Sequence, residues 1–304
     1  MAEEYMKKND ALKEGKNAPF SDSHFEDPIR EKFPDELELV DENEEFERMP
    51  LAQRVQHLVL MICFFVLVAT GLPLIFRDNT VVKALFSIEG GFQVRSITHR
   101  IAGVGLIFVS IFQVFYIVFD KRGRSDFMAI LPRPKDAFDA LHTFMHNLGL
   151  MAYFKKKGYF AEWFERYPWI SFEEPPRFGR YSFVEKFEYL ALIWGNAVMI
   201  ATGLMMWFVE VSLAIFPKWV LDVVRVIHGF EALLALLSIV IWHMYNVHLN
   251  PDVFPMSKVW LTGKISREHF RAHHPLEYEE LLLARRKERD AQINLEIKNI
   301  SQNN

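Results

Sequence analysis

The chain has 304 residues, of which 51% are hydrophobic, and a formal net charge of −4. Its single cysteine, Cys63, excludes a disulfide within the chain, an iron–sulfur cluster held by cysteines, and haem attached covalently through a C-x-x-C-H motif. The slightly acidic charge gives no indication of a nucleic-acid partner. Any redox centre must therefore be held noncovalently, by side chains other than cysteine.

The first fifty residues form a polar, acidic arm that includes the segment DELELVDENEEFER. A segment with few apolar and many charged residues buries too little apolar surface to fold by itself. The sequence therefore predicts that residues 1–50 are solvated and partly disordered. A docking role is the alternative interpretation.

Four apolar runs follow the arm, and each is long enough to cross a bilayer, which takes about twenty apolar residues. They are Leu58–Phe76, Ile101–Phe119, Tyr189–Val209 and, roughly, Val223–Val247. Helices are the spanning structure at this length because they satisfy every backbone hydrogen bond internally. The sequence thus predicts an all-α integral membrane four-helix bundle; buried helices of a soluble protein are the alternative.

Basic residues are concentrated in two of the segments outside these runs. The loop 121–182 holds eleven of them, the short loops after the first and third runs hold far fewer, and the C-terminal tail adds further clusters. The positive-inside rule then predicts that both termini and this loop are cytoplasmic. The predicted domains are the arm (1–50), a four-span region with its cytoplasmic loop (51–250) and a basic, then charged, tail (251–304).

Four of the eleven histidines lie at the ends of the predicted spans. His57 and His99 open the first and second spans, and His228 and His243 lie near the two ends of the fourth. Because consecutive spans run in opposite directions, His99 and His228 are predicted toward the outer face, and His57 and His243 toward the cytoplasmic face. Two pairs at two depths, each drawn from two helices, predict two bis-histidine haems b. A transporter that uses these histidines for a metal ion or proton is the alternative.

The spacing within the fourth span supports this arrangement. Fifteen residues separate His228 from His243, which is about 22 Å along an α-helix and about 60° around it. His248 lies about 200° around the helix from His228 and is the poorer ligand. One helix is therefore predicted to serve both sites, through His228 and His243.

Arginines precede three of the four histidines by about one helical turn: Arg54, Arg95 and Arg225. Residues three or four apart share one face of a helix, and arginine is well suited to pairing with carboxylates. These arginines are therefore predicted to hold haem propionates; the alternative is ordinary interfacial arginines.

Two further polar features within the chain have structural as well as functional interpretations. His142 and His146 have the spacing of a metal pair, although an amphipathic helix on the membrane surface is the competing interpretation. Gln113 and Asn196 lie in mid-span, where polar side chains commonly join helices.

The chain also contains a short internal repeat. The sequence ATGL occurs at Ala69–Leu72 and again at Ala201–Leu204, at the same depth of the first and third spans. VRSITHRIAGVGL resembles VVRVIHGFEALLAL when His99 is aligned on His228. The hypothesis is that the two halves arose by duplication.

Four motifs carry a resemblance that runs from about Arg48 to Tyr278. They are the first-span histidine followed by FFVLVATGL, GRYSFVEK at Gly179–Lys186, the paired histidines of the fourth span with HMY, and GKISREHFRAHHPLEY in the tail. Together they resemble the cytochrome b (gamma) subunits of bacterial membrane-bound formate dehydrogenases, which are grouped with the b subunits of hydrogenases and thiosulfate reductases. The fourth span is one residue longer between its histidines than is usual in that family.

The resemblance implies a dihaem subunit of a membrane oxidoreductase complex in the bacterial inner (cytoplasmic) membrane. Such a subunit exchanges electrons between an iron–sulfur partner, expected at the outer face, and quinone (menaquinone or ubiquinone), with no other substrate chemistry. The resemblance implies a quinone site at Ser182, Glu185 and His243, where the family has asparagine and glutamine at the first two positions. Exchange between quinone and a periplasmic multihaem cytochrome is the alternative, and the direction of electron flow stays open.

Overall fold

The computed structural model describes residues 28–76, 79–80, 82–84, 91–172, 174–251 and 253–302, so residues 1–27 of the predicted acidic arm lie outside the described residues. In chain order the helices are α1 (Pro28–Lys32), α2 (Glu36–Leu39), α3 (Leu51–Gly71), α4 (Gly91–Phe119), α5 (Lys121–Ile130), α6 (Pro134–Leu148), α7 (Leu150–Lys156), α8 (Ala161–Arg166), α9 (Phe183–Trp207), α10 (Val209–Ile215), α11 (Lys218–Leu237), α12 (Val259–Thr262), α13 (Arg267–His273) and α14 (Pro275–Gln302). The strands are β1 (Glu45–Glu47) and β2 (Lys264–Ser266). Short 3₁₀ turns occur at Leu72–Leu74 and Pro168–Ser171.

Four helical segments are long and apolar enough to cross a membrane, which confirms the predicted all-α membrane bundle. They are span one (Leu51–Leu74), span two (Gly91–Phe119), span three (Phe183–Trp207) and span four (Lys218–Leu249). Most of their large apolar side chains point outward, as expected where lipid takes the place of water.

The spans associate in two pairs, span one with span two and span three with span four. Span two approaches span one closely at Gly105, where an added Cβ would lie 2.7 Å from the Sγ atom of Cys63. Small residues of this kind let membrane helices pack backbone to backbone. The amide of Gln113 donates a hydrogen bond of 3.1 Å to the hydroxyl of Tyr189, so Gln113 joins spans two and three as predicted.

Span four changes from α-helical to π-helical geometry in its second half. The π-helical segments are Ser238–His243 and Tyr245–Leu249. A π turn contains one residue more than an α turn because its hydrogen bonds run from residue i to i+5. Because the first of these segments lies between His228 and His243, the spacing of the two rings departs from that of a regular α-helix.

The tail returns to the start of span one. Strands β1 and β2 pair antiparallel with Phe46 opposite Ile265, and the carbonyl of Gly263 accepts hydrogen bonds from the backbone N–H groups of Arg48 (2.8 Å) and Met49 (3.0 Å). Gly263 has φ +80°, and a Cβ there would lie 2.5 Å from the carbonyl oxygen of Met49, so glycine is required. This turn fixes α12 beside the first turn of span one.

A second compact unit consists of the described residues up to Glu44 together with those from Tyr278 onward. Phe33, Tyr278 and Leu282 are fully buried in it. Asp35 pairs with Arg286 and with Arg289, and the hydrogen bond from Arg286 lowers the pKa of Asp35 to about 2. In this part of the acidic arm, residues 28–44 therefore lie against basic residues of α14.

Candidate functional site

Two pairs of histidine rings face one another between the spans. The pair predicted toward the outer face, here called the outer pair, is His99 of span two with His228 of span four, whose ring centroids are 6.4 Å apart. The pair predicted toward the cytoplasmic face, here called the inner pair, is His57 of span one with His243 of span four, whose centroids are 6.5 Å apart. The structure thus brings together the four histidines in the combination predicted from their spacing, while His248 is not part of either pair.

Both separations match the space that one iron needs between two histidines. A ring nitrogen binds such a metal at about 2 Å and lies about 1.1 Å from its ring centroid, so imidazoles on opposite sides of one iron have centroids roughly 6.3 Å apart. The separations of the two pairs therefore fit bis-histidine coordination of haem b.

The outer pair is held by two threonines in equivalent positions. The Nδ1 atom of His99 lies 2.9 Å from the hydroxyl oxygen of Thr70, and the Nδ1 atom of His228 lies 2.8 Å from that of Thr202. Each hydroxyl donates its own proton 2.6 Å to the carbonyl oxygen four residues earlier in its helix, so its oxygen accepts from the histidine. This pattern favours the tautomer of both rings with the proton on Nδ1, which leaves Nε2 free to bind a metal.

The glycine that follows each threonine gives the ring its space. An added Cβ at Gly71 would lie 2.8 Å from the Cε1 atom of His99, and one at Gly203 would lie 3.4 Å from the Cε1 atom of His228. The repeated ATGL motif is thus a threonine that holds a histidine, followed by a glycine that admits its ring. This equivalence supports the duplication hypothesis.

A cavity of about 230 Å³ adjoins the outer pair. Both histidines line it, together with Arg95, Arg100 and Trp207. Most of its remaining lining is apolar, which suits a macrocycle with a hydrophobic face and carboxylate edges. The cavity, the ring separation and the free Nε2 atoms all fit haem b at this depth.

The inner pair has different neighbours. The Nδ1 atom of His243 lies 3.3 Å from Oε2 of Glu188, near the start of span three. The Nδ1 atom of His57 is buried and has no hydrogen-bond partner among the described residues, and the same is true of Oε1 of Glu188. The ring of Trp260, in α12, lies 6.2 Å from that of His57. Orphaned polar atoms beside a correctly spaced ring pair fit a site built for a group with polar edges.

The predicted propionate arginines occupy three different environments. Arg95 is buried, and its guanidinium donates a hydrogen bond of 2.9 Å to the carbonyl of Thr70 beside the outer pair. Arg54 donates to the carbonyl of Leu261, near the inner pair. Arg225 has a side chain that is 73% exposed and pairs with Asp222. The structure therefore brings Arg54 and Arg95 to the sites and leaves Arg225 on the surface.

Sequence reasoning missed Arg100, Trp207 and Glu188. The guanidinium of Arg100 lies 5.2 Å from the centroid of the Trp207 ring at the edge of the outer cavity. The position of Arg100 directly after His99 was the available signal. Arg100 does not share the pattern of Arg54, Arg95 and Arg225, which precede a histidine by about one helical turn. Glu188 is the last acidic residue before the apolar part of span three, and that too was visible in the sequence.

Ser182 and Glu185, predicted to bind quinone, form the first turn of span three. The Ser182 N–H donates to Oε2 of Glu185 at 2.7 Å, and the Glu185 N–H donates to the Ser182 hydroxyl at 3.3 Å. This reciprocal arrangement is a capping box. Glu185 also pairs with Arg48 at 3.3 Å, whereas the carboxylate that contacts His243 is Glu188, one turn further along.

A polar network connects this turn with the tail. Glu277 pairs with Arg48 at 3.1 Å and with Arg180 at 2.7 Å, and the Nδ1–H of His274 donates to the carbonyl of Gly179 at 3.0 Å. Burial, with the nearby charge of Arg48, lowers the pKa of His274. The motifs GRYSFVEK and GKISREHFRAHHPLEY are therefore parts of one network in space.

His142 and His146, in the loop between spans two and three, serve local structure. The Nε2 atom of His142 lies 2.9 Å from the carbonyl oxygen of Glu174, and the Nδ1 atom of His146 lies 2.8 Å from that of Phe172. Among the described residues no cluster of three or more histidine, cysteine or acidic side chains has the geometry of a metal site. Both rings hold the loop that follows α8.

Comparison with known proteins identifies the region that contains both pairs. Residues 48–253 match a family model described as prokaryotic cytochrome b561. The match covers more than half of the chain and all four spans. No curated protein matches the chain.

Proposed function

The chain belongs to the prokaryotic cytochrome b561 family, and on that premise we propose that it holds two haems b and carries electrons across the membrane between a redox partner and a quinone. Membership of the family makes the chain a membrane electron-transfer protein and implies haem b as its prosthetic group. Our proposal adds four features to what family membership implies. They are the second haem, the quinone, the outer-face partner and a location in the bacterial inner membrane.

The two facing histidine pairs are the observation that carries the proposal. Span four contributes one ring to each pair, with centroid separations of 6.4 and 6.5 Å to the partner rings of spans two and one. Haem b bound at each pair would supply a one-electron couple at each depth. The hydroxyls of Thr70 and Thr202 hold the outer rings in the tautomer that leaves Nε2 free for iron.

The quinone site is proposed beside the inner pair. The resemblance to formate dehydrogenase b subunits implicates His243, Ser182 and Glu185, and the polar network that joins GRYSFVEK to the tail supplies charged and hydrogen-bonding groups on the same side. Proton transfer to a reduced quinone needs titratable groups with access to water. The side chain of Glu185 is 39% exposed and meets that need.

The partner is proposed at the outer face, as an iron–sulfur or a multihaem cytochrome subunit. Basic residues concentrated in the loop 121–182 and the tail support a cytoplasmic position for those segments. The outer pair then lies nearest the periplasm. Delivery of electrons to or from a periplasmic multihaem cytochrome uses the same two pairs.

The haem number is tested by pyridine haemochrome analysis of the purified full-length protein against protein mass. We expect two haems b per chain. A value near one contradicts one of the pairs, and a value near zero contradicts both and favours a transporter.

The quinone site is tested with Ser182→Ala and Glu185→Gln in protein that retains both haems. We expect slower electron exchange with quinone and weaker binding of a quinone-analogue inhibitor. Glu210→Gln, the same chemical change at an exposed glutamate beyond the far end of span three, is the control. Unchanged rates and affinities in both test variants would show that quinone does not bind at Ser182 and Glu185.

A further inference from the structure

We propose that Glu188 is a positioning residue that lowers the reduction potential of the haem at the inner pair relative to the haem at the outer pair. This inference rests on the proposed two-haem function. It starts from a difference in what each ligand histidine meets at Nδ1. The outer histidines His99 and His228 meet neutral hydroxyls, whereas His243 meets a carboxylate.

The geometry directs the charge of Glu188 toward His243. Oε2 lies 3.3 Å from Nδ1 of the ring, and both side chains are largely buried, with exposures of 26% and 31%. Oε1 is buried without a hydrogen-bond partner, and no lysine or arginine of the described residues forms an ion pair with this carboxylate. Among the described residues, therefore, no lysine or arginine neutralises this negative charge in an ion pair.

Hydrogen bonding to a carboxylate changes the ring as a ligand. When Nδ1–H donates to a carboxylate, the imidazole becomes more basic and donates more electron density through Nε2 to the iron. The nearby negative charge also favours the more positively charged ferric state. Both effects lower the reduction potential. A threonine hydroxyl, being neutral, has a smaller influence.

The surroundings of the outer pair add to the difference. Positive charge favours the ferrous state. Two arginines, the buried Arg95 and the cavity-lining Arg100, lie beside His99 and His228, whereas Arg54 is the arginine near His57. For an electron that passes between the two pairs, the resulting asymmetry favours the direction from the inner pair to the outer pair. The outer pair would then be the more oxidising of the two centres.

The test is spectroelectrochemical titration of the full-length protein with both haems bound, at one fixed pH. Glu188→Gln keeps the size of the side chain and an acceptor oxygen but removes the charge. We expect one midpoint to rise by an amount equal to at least a tenfold change in the ratio of oxidised to reduced haem, which is 59 mV for a one-electron couple. The other midpoint should stay unchanged. The low-spin ferric electron paramagnetic resonance signal of the shifted haem should move as well, because it reports ligand basicity.

Two control experiments separate the effect of the Glu188 charge from a general effect of substitution on the fold. Glu210→Gln makes the same chemical change at an exposed glutamate and should leave both midpoints in place. Combining Glu188→Gln with His99→Ala, which removes the outer haem, should leave a single midpoint that carries the whole shift. Unchanged midpoints, or equal shifts of both haems, would overturn the role of Glu188.

Loss of haem has its own interpretation. If Glu188→Gln no longer binds the inner haem, Glu188→Asp, which retains the charge, must bind it with a midpoint close to that of the wild type. Loss of the inner haem from both Glu188→Gln and Glu188→Asp would mean that Glu188 has only a structural role, and it would overturn the inference. Fewer than two haems in the wild-type protein would instead contradict the proposed function, so the two failures are distinguishable.

Discussion

The outer and inner histidine pairs have nearly the same ring separation but are built in different ways. At the outer pair, span one holds a histidine of span two and span three holds a histidine of span four, each through a threonine followed by a glycine. At the inner pair, one Nδ1 atom meets Glu188 and the other has no partner among the described residues. The repeat in the sequence thus produces a symmetric environment at one depth only.

This difference indicates where the two halves of the chain diverged. When the two ATGL segments are aligned, His57 corresponds to Tyr189, and when His99 is aligned on His228, His243 corresponds to Val114. Each half therefore supplies the same ligand for the outer pair and a unique ligand for the inner pair. Symmetry suits a centre that only passes electrons, whereas an asymmetric centre offers room for a carboxylate and for a substrate.

Removal of a ligand should produce the largest effect and tests whether the pairs are independent. His99→Ala or His228→Ala should remove the outer haem and lower the haem content from two per chain to one. His57→Ala should also leave one haem per chain, but through loss of the inner haem. Pyridine haemochrome analysis gives the number, and the absorption maxima and midpoints of the remaining haem identify it. His248→Ala should retain both haems, and loss of a haem from that variant would mean that His248 is a ligand.

The two repeat glycines should differ in their response to a methyl group. In Gly71→Ala the Cβ would lie 2.8 Å from the His99 ring, which must shift, and overpacking of this kind costs about 1–3 kcal/mol. In Gly203→Ala the corresponding distance is 3.4 Å, which is an ordinary contact. We expect Gly71→Ala to lower the occupancy of the outer haem and Gly203→Ala to preserve it. A similar haem content in the two variants would contradict this difference in space.

Much of this architecture was predictable from the sequence because its signals are local. Apolar runs give the spans, and four histidines at their ends give the pairs, since alternating direction fixes the depth of each. The role of ATGL was not predictable, although the repeat itself was visible. Which threonine hydroxyl meets which ring depends on how span one packs against span two.

The side of a helix on which a residue lies was also not predictable from sequence spacing. Glu185 was predicted to share a quinone site with His243. Its carboxylate caps the helix and pairs with Arg48, and the carboxylate that contacts the histidine is that of Glu188. Sequence spacing assumes α-helical turns, whereas span four is π-helical around His243. The exposed position of Arg225 likewise depends on how span four is rotated, and not on its distance from His228.

Loss of the threonine hydroxyls should have an intermediate effect that is confined to the outer pair. Thr70→Val and Thr202→Val remove the acceptor at Nδ1 while keeping the shape of the side chain. Loss of such a partner typically weakens metal binding 10–100-fold. We expect faster dissociation of the outer haem in both variants, measured by transfer to apomyoglobin, and no change at the inner haem. Thr98→Val, which removes a hydroxyl bonded only to the carbonyl of Val94, is the matched control.

Unequal losses in these two variants would weaken the comparison. The two Nδ1 to hydroxyl distances are 2.9 and 2.8 Å, so symmetric environments should respond equally. A much larger loss in one variant would mean that only one half of the repeat still holds its histidine.

The smallest effect is expected from Ser182→Ala, which acts on the inner pair indirectly. Ser182 caps the helix whose second turn carries Glu188, and loss of such a cap costs about 1 kcal/mol or less where the hydrogen bond is long, as it is here at 3.3 Å. The first turn should fray slightly, so the contact between Glu188 and His243 should be populated less often. We expect a small rise in the midpoint of the inner haem, in the same direction as for Glu188→Gln, with the outer haem unchanged. Double substitution Ser182→Ala with Glu188→Gln should then shift the midpoint no further than Glu188→Gln alone. An additive shift would show that Ser182 reaches the inner pair by another route.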